Sequence, residues 1–372
     1  MKTFFNLIQE VQKPGLCHRC GGCAVFCTAI NYGALEIDKN GKPAYGDIEK
    51  CIECGLCYSI CPEINELDEE TNRQAAWSEP MGRVIETTVV RSPDPQTRQK
   101  ATDGGAVTAF LLHLFDRNRI DGAIITRPVG KFQRQPYLAT TREEIKGSTG
   151  LFLDTSHGMK RFSDEYVTFS SIEEFDPMVK KGLKRVALVG TPCQIKALRK
   201  MQVMNLVPSD AIKICFGLFC SGNFSFGLDE QKKLARIAGI SWDDVIKINI
   251  KDRLIITLNS GDIKTVDIQD MEFMKRYACH YCGDYSAEYA DISFGGIGAK
   301  DGWTTIISRT PLGRAVLADS RSMGSIEQFS IKENSEFAST ALQKVRDASF
   351  AKKKKTRYRR RSLKHDSIQL KE

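Results

Sequence analysis

The pattern of hydrophobic and polar positions over residues 84–308 alternates between strand-like and helix-like segments. A short apolar run over 184–190 predicts a buried strand, and apolar side chains recur at helical spacing over 104–118. The same reasoning predicts a second helix over 194–201 and further strands over 84–90, 122–126, 212–219, 291–294 and 304–308. Alternation of this kind is typical of an α/β body with a buried sheet.

The first 80 residues show a different pattern, with only short apolar stretches. Residues 34–38 and 42–45 predict the two strands of a small hairpin, and the polar residues 63–80 predict a linker. We therefore expect three parts: a small N-terminal domain over 1–75, the body over 80–345 and a C-terminal tail over 346–372.

Cysteines are concentrated on both sides of the predicted hairpin. The chain has 13 cysteines, which is more than a reducing compartment favours unless the thiols are ligands or buried. Eight of them form two runs with the spacing C-x2-C-x2-C-x3-C, the bacterial ferredoxin pattern, in which the fourth cysteine of each run binds the other run's 4Fe-4S cluster. The N-terminal domain is therefore predicted to be α+β and ferredoxin-like. One cluster is expected on Cys17, Cys20, Cys23 and Cys61, and the second on Cys51, Cys54, Cys57 and Cys27. Two zinc sites are the alternative, but two interleaved quartets favour iron–sulfur over the two-plus-two spacing of zinc.

Five cysteines remain in the body. Cys193 follows a predicted strand, Cys220 ends another, and Cys279 and Cys282 are separated by two residues. These four could bind a third 4Fe-4S cluster or a small zinc site, and their spacing leaves both open. Cys215 lies inside an apolar strand and is interpreted as a buried thiol.

The net charge of +8 is local. Residues 352–364 contain nine Lys or Arg residues and no acid, so the rest of the chain is near neutral. This tail is interpreted as a solvated, disordered end, as a peripheral contact with an anionic membrane surface, or as a contact with an acidic partner subunit. Nucleic-acid binding is not favoured, because Tyr358 is the only aromatic residue in the run. The chain lacks an apolar run long enough to span a bilayer and a secretory signal, so we expect a cytoplasmic protein, with peripheral contact at the inner face of the membrane as a further expectation.

Six segments of the body resemble the coenzyme F-420 hydrogenase/dehydrogenase beta-subunit family. They are TDGGAVTAFLLHLF (102–115), DGAIIT (121–126), VALVGTPCQIKALR (186–199), IKICFGLFCSGNFSF (212–226), CHYCGDYSAEYADISFGGIG (279–298) and DGWTTIISRT (301–310). The resemblance implies an α/β body that binds FAD and a third 4Fe-4S cluster. The ligands of that cluster would be Cys193, Cys220, Cys279 and Cys282.

The resemblance also implies where FAD is bound. Backbone N–H groups where Thr102, Gly104, Gly105 and Thr108 open a helix could receive the pyrophosphate, and a simple turn capped by Asp103 is the alternative. The other expected contacts are Thr191 and Gln194, which flank Cys193, and Gly295, Gly296 and Gly298. The family often has Ser-Lys-Tyr after a glycine near 147, where this chain has GSTGLFL.

The function implied is oxidation of reduced coenzyme F-420. FAD would take the hydride, and the electrons would leave singly through the clusters to partner subunits of a larger redox complex, as in the electron-input subunits of methanogens. No side-chain nucleophile or acid–base triad is expected. The alternatives are the beta subunit of an F-420-linked formate dehydrogenase or hydrogenase, a ferredoxin-dependent chlorophyll-type reductase, and a flavin-less electron-relay docking subunit.

Overall fold

The computed structural model describes residues 1–27, 33–38, 41–130, 133–150 and 175–369. The last part of the GSTGLFL segment, residues 151–153, and the last three residues of the predicted tail, 370–372, lie outside the described residues.

An eight-stranded mixed sheet lies at the centre of the body. Its strand order is β13-β3-β12-β11-β7-β6-β4-β5. The four inner strands from β11 to β4 are parallel, and the outer pairs are antiparallel. The strands of this sheet are β3 (Glu86–Arg91), β4 (Gly122–Gly130), β5 (Gln133–Ala139), β6 (Val186–Gly190), β7 (Ile212–Leu218), β11 (Ile292–Gly295), β12 (Thr304–Ser308) and β13 (Glu327–Gln328).

Both faces of this sheet are covered, which is why its inner strands are mostly apolar. Helices α6 and α11 pack on one face, and α9 packs on the other. The helices of the body are α5 (Pro95–Lys100), α6 (Ala106–Asp116), α7 (Arg142–Gly147), α8 (Phe175–Lys180), α9 (Pro192–Val203), α10 (Leu228–Ala238), α11 (Pro311–Ser322) and α12 (Ile331–Gln369).

The strands and helices predicted from periodicity are all present, with small differences at their ends. Helix α6 begins at Ala106 rather than at 104, because Gly105 has a left-handed conformation (φ 73°) that precedes the first turn. Helix α9 begins two residues earlier than predicted, because Pro192 occupies its first turn and Thr191 and Gln194 form a capping box.

A second, three-stranded antiparallel sheet in the body was not predicted. Its strands are β8 (Val245–Ile250), β9 (Arg253–Leu258) and β10 (Ile263–Asp267). Its inner side chains, among them Ile248, Leu254 and Val266, form a separate apolar cluster with α10. The charged residues around 251–253 hide the alternation in the sequence.

The N-terminal unit contains the predicted hairpin, with β1 (Leu35–Ile37) antiparallel to β2 (Pro43–Tyr45). Its helices are α1 (Phe4–Leu7), which continues as a π-helical turn over Ile8–Gln12, α2 (Gly22–Val25) and α3 (Leu56–Ser59). Val25, Phe26 and Ile60 from this unit join the apolar core under α9, so the unit is packed against the body.

The predicted linker contains a helix that docks on the body. Helix α4 (Asp68–Gln74) places the Asp68 carboxylate 2.9 Å from Lys196 Nζ and 2.8 Å from Lys200 Nζ on α9. The Lys200 side chain is fully buried and also donates to the carbonyl oxygens of Cys61 and Ile64. A linker with this helix and these bonds fixes the N-terminal unit to α9.

The tail predicted over 346–372 is helical as far as residue 369, as part of the 39-residue helix α12. Its interpretation as a disordered end is therefore wrong for the described part. Several of its basic side chains bond to the body, among them Lys352, Lys353, Arg359 and Arg360. The sequence shows only a run of basic residues and does not reveal these partners.

Candidate functional site

The eight cysteines of the N-terminal unit line two cavities. Cys17, Cys20, Cys23 and Cys61, which we name the first quartet, line one of them. Cys27, Cys51, Cys54 and Cys57, the second quartet, line the other. Each cavity thus receives three cysteines from one run and the fourth from the other run, which is the interleaved grouping expected from the spacing.

The two runs have matching backbone conformations. Gly21 and Gly55, each directly after the second cysteine of its run, have φ of 78° and 74° and precede α2 and α3. The residues two positions earlier, Arg19 and Glu53, also have positive φ, 52° and 55°. Both runs therefore form the same tight loop, and glycine follows the second cysteine because a side chain would strain this conformation.

Cys193, Cys220, Cys279 and Cys282, the third quartet, line a cavity in the body. Cys193 is in the first turn of α9 after β6, Cys220 follows the end of β7, and Cys279 lies in a 3-10 turn over Tyr277–Tyr281. Parallel strands β6 and β7 end at the same sheet edge, so the first two cysteines are brought together by the topology. Cys215 is fully buried within β7, as predicted, and does not line this cavity.

Burial controls the protonation of these thiols. It raises the pKa of Cys20, Cys57 and Cys220 to about 12 and that of Cys193 well above its ordinary value. Thiols in such surroundings are protonated near neutral pH and lose the proton when a metal binds. Among the described residues, no group of three or more His, Cys, Asp or Glu side chains forms a site for a single metal ion.

Hydrogen-bond donors surround the third quartet. The backbone N–H of Asn223 lies 3.1 Å from Cys279 Sγ, and Thr191 Oγ1 lies 3.3 Å from Cys193 Sγ. Lys352 on α12 also lines this cavity. Donors of this kind stabilise thiolate sulfur and adjust the reduction potential of a cluster bound to it.

The first and third quartets are joined by charged and polar contacts. His18, next to Cys17, lines the cavities of both quartets. Its Nε2 atom lies 2.8 Å from Glu63 Oε1, and Arg360 of α12 donates to the same carboxylate at 2.6 Å. Burial alone would raise the pKa of Glu63, but His18 and Arg360 outweigh it and bring the pKa to about 2. Helix α12 therefore reaches the first cavity through Arg360 and the third cavity through Lys352.

A large cleft in the body opens at the same edge of the central sheet. Its empty volume is about 1290 Å³, including the open mouth. It is lined by the first turn of α6, the ends of β7 and β11, and residues 249–251 at the end of β8. The first N–H groups of a helix such as α6 have no partner within the helix and can bind an anion.

Six of the nine residues predicted to bind FAD line this cleft, and three do not. The lining residues are Thr102, Gly105, Thr108, Thr191, Gly295 and Gly296. Gly104 instead packs against β3, where a Cβ atom would lie 2.9 Å from Val90 O. The Gln194 amide oxygen accepts from Thr191 N at 3.0 Å and caps α9. Gly298 packs against α12, where a Cβ atom would lie 2.5 Å from the Cα atom of Ala341.

Asp103 does not cap α6, because the N-cap residue is Gly105, which has no side chain to accept a hydrogen bond. The Asp103 carboxylate instead lines the cleft, accepts from Asn249 Nδ2 at 2.9 Å and lies 3.5 Å from Lys251 Nζ. Burial raises the pKa of Asp103 despite Lys251. Sequence reasoning missed Asn249 and Lys251 because it missed the small sheet. An acidic residue within the TDGG segment was the available signal for Asp103.

The cleft, the third quartet and the first quartet follow one another without a gap. Thr191 and Cys220 line both the cleft and the third cavity, and His18 lines both the third and the first cavities. Cys23 of the first quartet and Cys27 of the second lie one helical turn apart. The second cavity is lined by the exposed residues Lys50, Ile52 and Glu53, so the series ends near the surface.

Among the described residues, no helix combines the length and the apolar character that a membrane crossing requires.

Three family models match parts of the sequence. The family model for the carboxy-terminal part of the coenzyme F-420 hydrogenase/dehydrogenase beta subunit matches residues 183–334, and the model for its amino-terminal part matches residues 87–161. A 4Fe-4S dicluster domain matches residues 9–62. Residues beyond 334, including most of α12, lie outside all three matches.

Three curated relatives illustrate the similarity. The coenzyme F-420 hydrogenase beta subunit of Methanococcus voltae is 32% identical over 281 residues, which are 74% of this chain and 94% of the relative. One of the F-420H2 dehydrogenase subunits of Methanosarcina mazei is 27% identical, and the match covers 82% of each chain. The coenzyme F-420-dependent sulfite reductase of Methanocaldococcus jannaschii is 27% identical over 83% of this chain, which spans only 46% of that relative's length.

A solved structure has the same fold over most of the chain. It is a chain of the F-420-reducing [NiFe] hydrogenase complex of Methanosarcina barkeri, 27% identical, with a TM-score of 0.65 over 76% of this chain and 93% of that one. With the extent of the Methanococcus voltae match, these similarities show that the chain belongs to the coenzyme F-420 hydrogenase/dehydrogenase beta-subunit family and has a 4Fe-4S dicluster domain at its N-terminus.

Proposed function

We propose that this chain oxidises reduced coenzyme F-420 at an FAD held in the cleft and passes the electrons singly through three 4Fe-4S clusters to a partner complex. The observation that carries the proposal is the series of adjoining cavities, in which Thr191, Cys220 and His18 each line two neighbouring cavities. A flavin can accept a hydride and release electrons one at a time, and 4Fe-4S clusters carry single electrons.

The cleft residues would bind and orient the flavin. The N–H groups at the start of α6, near Gly105 and Thr108, would receive the pyrophosphate. Gly295 and Gly296 line the cleft at the end of β11. A Cβ atom would clash with the Phe219 ring at the first and lie 2.6 Å from Asp103 Oδ2 at the second, so the glycines let these two side chains sit beside the proposed ring. A flavin ring next to Cys220 would lie beside the third quartet. Hydride transfer to this ring would depend on positioning and would require no side-chain base.

The cysteine quartets would hold the clusters, each with the four thiolates that such a cluster needs. The second quartet would be the exit, because Lys50, Ile52 and Glu53 at its cavity are exposed. A partner subunit would dock there to bring its own acceptor within tunnelling distance. The curated relatives named as hydrogenase and dehydrogenase subunits support a role within such a complex.

The basic face of α12 supports a weaker peripheral contact with an anionic membrane on the cytoplasmic side. Lys354 and Lys355 are exposed, and basic residues near such a surface contribute about 1 kcal/mol each. Co-sedimentation with anionic vesicles at low and high salt tests this proposal. Reversal of both charges to Glu should reduce the bound fraction at low salt, and an unchanged fraction would exclude the contact.

The test of the main proposal is an anaerobic assay of the purified chain with reduced F-420 and a viologen dye, together with iron and flavin analysis. We expect dye reduction, about twelve irons per chain from three clusters, and one extractable FAD. Protein with full iron but no extractable flavin would point to the flavin-less relay. A fully loaded chain without turnover would overturn the assignment of F-420 as the donor.

A further inference from the structure

We infer that Lys352, on helix α12, raises the reduction potential of the cluster at the third quartet. This inference rests on the proposed function, because it requires a 4Fe-4S cluster on Cys193, Cys220, Cys279 and Cys282. Lys352 lies beyond residues 183–334, the part of the chain that matches the carboxy-terminal family model.

The ammonium group of Lys352 is fixed at the wall of the third cavity. Its Nζ atom donates to the carbonyl oxygens of Cys220 and Asp284, both at 2.7 Å. One of these carbonyls belongs to a cysteine of the quartet, and the other lies two residues beyond Cys282. The cation is therefore bound between the two loops that supply three of the four thiols, and it lines the same cavity as those thiols.

Neighbouring contacts of α12 hold Lys352 in this place. Thr356, one turn later on the helix, donates from Oγ1 to Cys282 O at 3.1 Å. Arg360, a further turn along, donates from Nε to Tyr281 O at 3.0 Å. Residues 352, 356 and 360 recur every four positions and so share one face of the helix. That face follows the 281–284 loop, which fixes the distance between the ammonium and the quartet.

The carboxylates near Lys352 have other partners. Asp284 Oδ2 accepts from Glu288 N at 3.0 Å, whereas Lys352 contacts the Asp284 backbone carbonyl. Glu288 in turn is paired with Lys353 at 2.9 Å. Among the described residues, Lys352 therefore has carbonyl acceptors but no carboxylate partner within salt-bridge distance.

A fixed positive charge favours the reduced form of a neighbouring cluster. Reduction adds one negative charge to a cluster that is already negative when its four thiolates are counted. The interaction is stronger inside the protein than in water, because the effective dielectric constant is lower. The third quartet lies between the cleft and the first quartet, so Lys352 would make its cluster a better acceptor for electrons leaving the flavin.

The experiment is an anaerobic redox titration of the full-length protein, monitored by electron paramagnetic resonance. In Lys352→Met, the midpoint potential of one of the three clusters should fall by at least 59 mV, which corresponds to a tenfold change in its one-electron equilibrium. The other two midpoint potentials should stay unchanged. Lys352→Gln keeps a hydrogen-bond donor without the charge and should show the same fall, whereas Lys352→Arg should stay close to the wild type.

Lys354→Met is the matched control, since Lys354 lies two residues away on the exposed face of the same helix. Unchanged potentials in both neutral variants with full iron content would overturn the inference. Both neutral variants could also lose about four irons. In that case, a Lys352→Arg protein that keeps these four irons supports the role of the positive charge, and a Lys352→Arg protein that loses them overturns the inference. A wild-type protein without a third titrating cluster would instead contradict the proposed function, so the two failures are distinguishable.

Discussion

Gly296 is a residue at which one methyl group should change the cleft. A Cβ atom there would lie 2.6 Å from Asp103 Oδ2, and Asp103 is held in place by Asn249. Gly296→Ala should therefore displace the Asp103 carboxylate into the space proposed for the flavin. We expect about tenfold weaker FAD binding, equivalent to about 1.4 kcal/mol. Flavin retained after gel filtration and the dissociation constant measured by flavin fluorescence provide the test.

Gly147→Ala is the control for this substitution, because a Cβ atom at Gly147 meets no atom of the described residues within 4 Å. It should retain flavin like the wild type. Equal flavin affinity in the two variants would contradict the placement of the cofactor beside Gly296.

Arg309 is the largest fully buried side chain in the described part of the chain. Its guanidinium donates to Ser293 Oγ at 2.6 Å and to the carbonyl oxygens of Met81, Arg83 and Ser286 at 2.7, 2.9 and 2.9 Å. These contacts connect β11 and β12 with the segment that follows the N-terminal unit. Arg309→Met should leave the carbonyls of Arg83 and Ser286 without this donor, each at about 1–3 kcal/mol, whereas Met81 O still accepts from Ser286 Oγ at 3.2 Å. We expect the apparent free energy of unfolding to fall by about 2–6 kcal/mol in anaerobic urea titrations followed by circular dichroism.

The exposed Arg314 on α11 offers a matched control. Arg314→Met should change the apparent free energy of unfolding by less than about 0.5 kcal/mol. A similar loss in both variants would show that the buried hydrogen bonds of Arg309 contribute little.

At the scale of the element, helix α12 is the largest difference between the expected and the observed molecule. A block of Lys and Arg is usually solvated, and the sequence carries no period that separates Lys352 and Arg360 from the exposed Lys354 and Lys355. The separation arises only when the helix packs on the 281–284 loop. By contrast, α6 and α9 could be predicted because their apolar spacing and caps are local properties of the chain.

Removal of residues 346–372 should therefore remove the cluster of the third quartet, whereas the ferredoxin unit loses the Arg360–Glu63 contact but keeps its eight cysteines. The shortened chain loses the contacts of Lys352 with Cys220 O and of Thr356 with Cys282 O. We expect iron content to fall by about four atoms per chain, with the two clusters of the N-terminal unit retained. Removal of residues 370–372 alone should leave iron unchanged. Full iron content in the longer truncation would mean that the third quartet does not depend on α12.

For the whole molecule, spacing alone predicted which cysteines of the N-terminal unit group together, because each run is a local loop with a fixed conformation. The third quartet needed the family resemblance, since its cysteines come from separate loops that only the sheet topology brings together. The cleft was predicted in part: the α6 first turn could be read from the sequence, but the wall formed by Asn249 and Lys251 depends on a small sheet that periodicity did not reveal.

In the proposed path of the electrons, the order of the cavities makes the third quartet the step between the cleft and the ferredoxin unit. Cys193→Ala should remove that step, because Cys193 lies in the cavity that adjoins both the cleft and the first quartet. In anaerobic stopped-flow experiments with reduced F-420, we expect flavin bleaching to persist while cluster bleaching and viologen reduction fall by at least tenfold. Cys215→Ala is the matched control, since this buried thiol lines none of the three cysteine cavities and its variant should keep both phases. Viologen reduction at the wild-type rate in Cys193→Ala would mean that electrons reach the dye without the third quartet, and the linear order of sites would have to be abandoned.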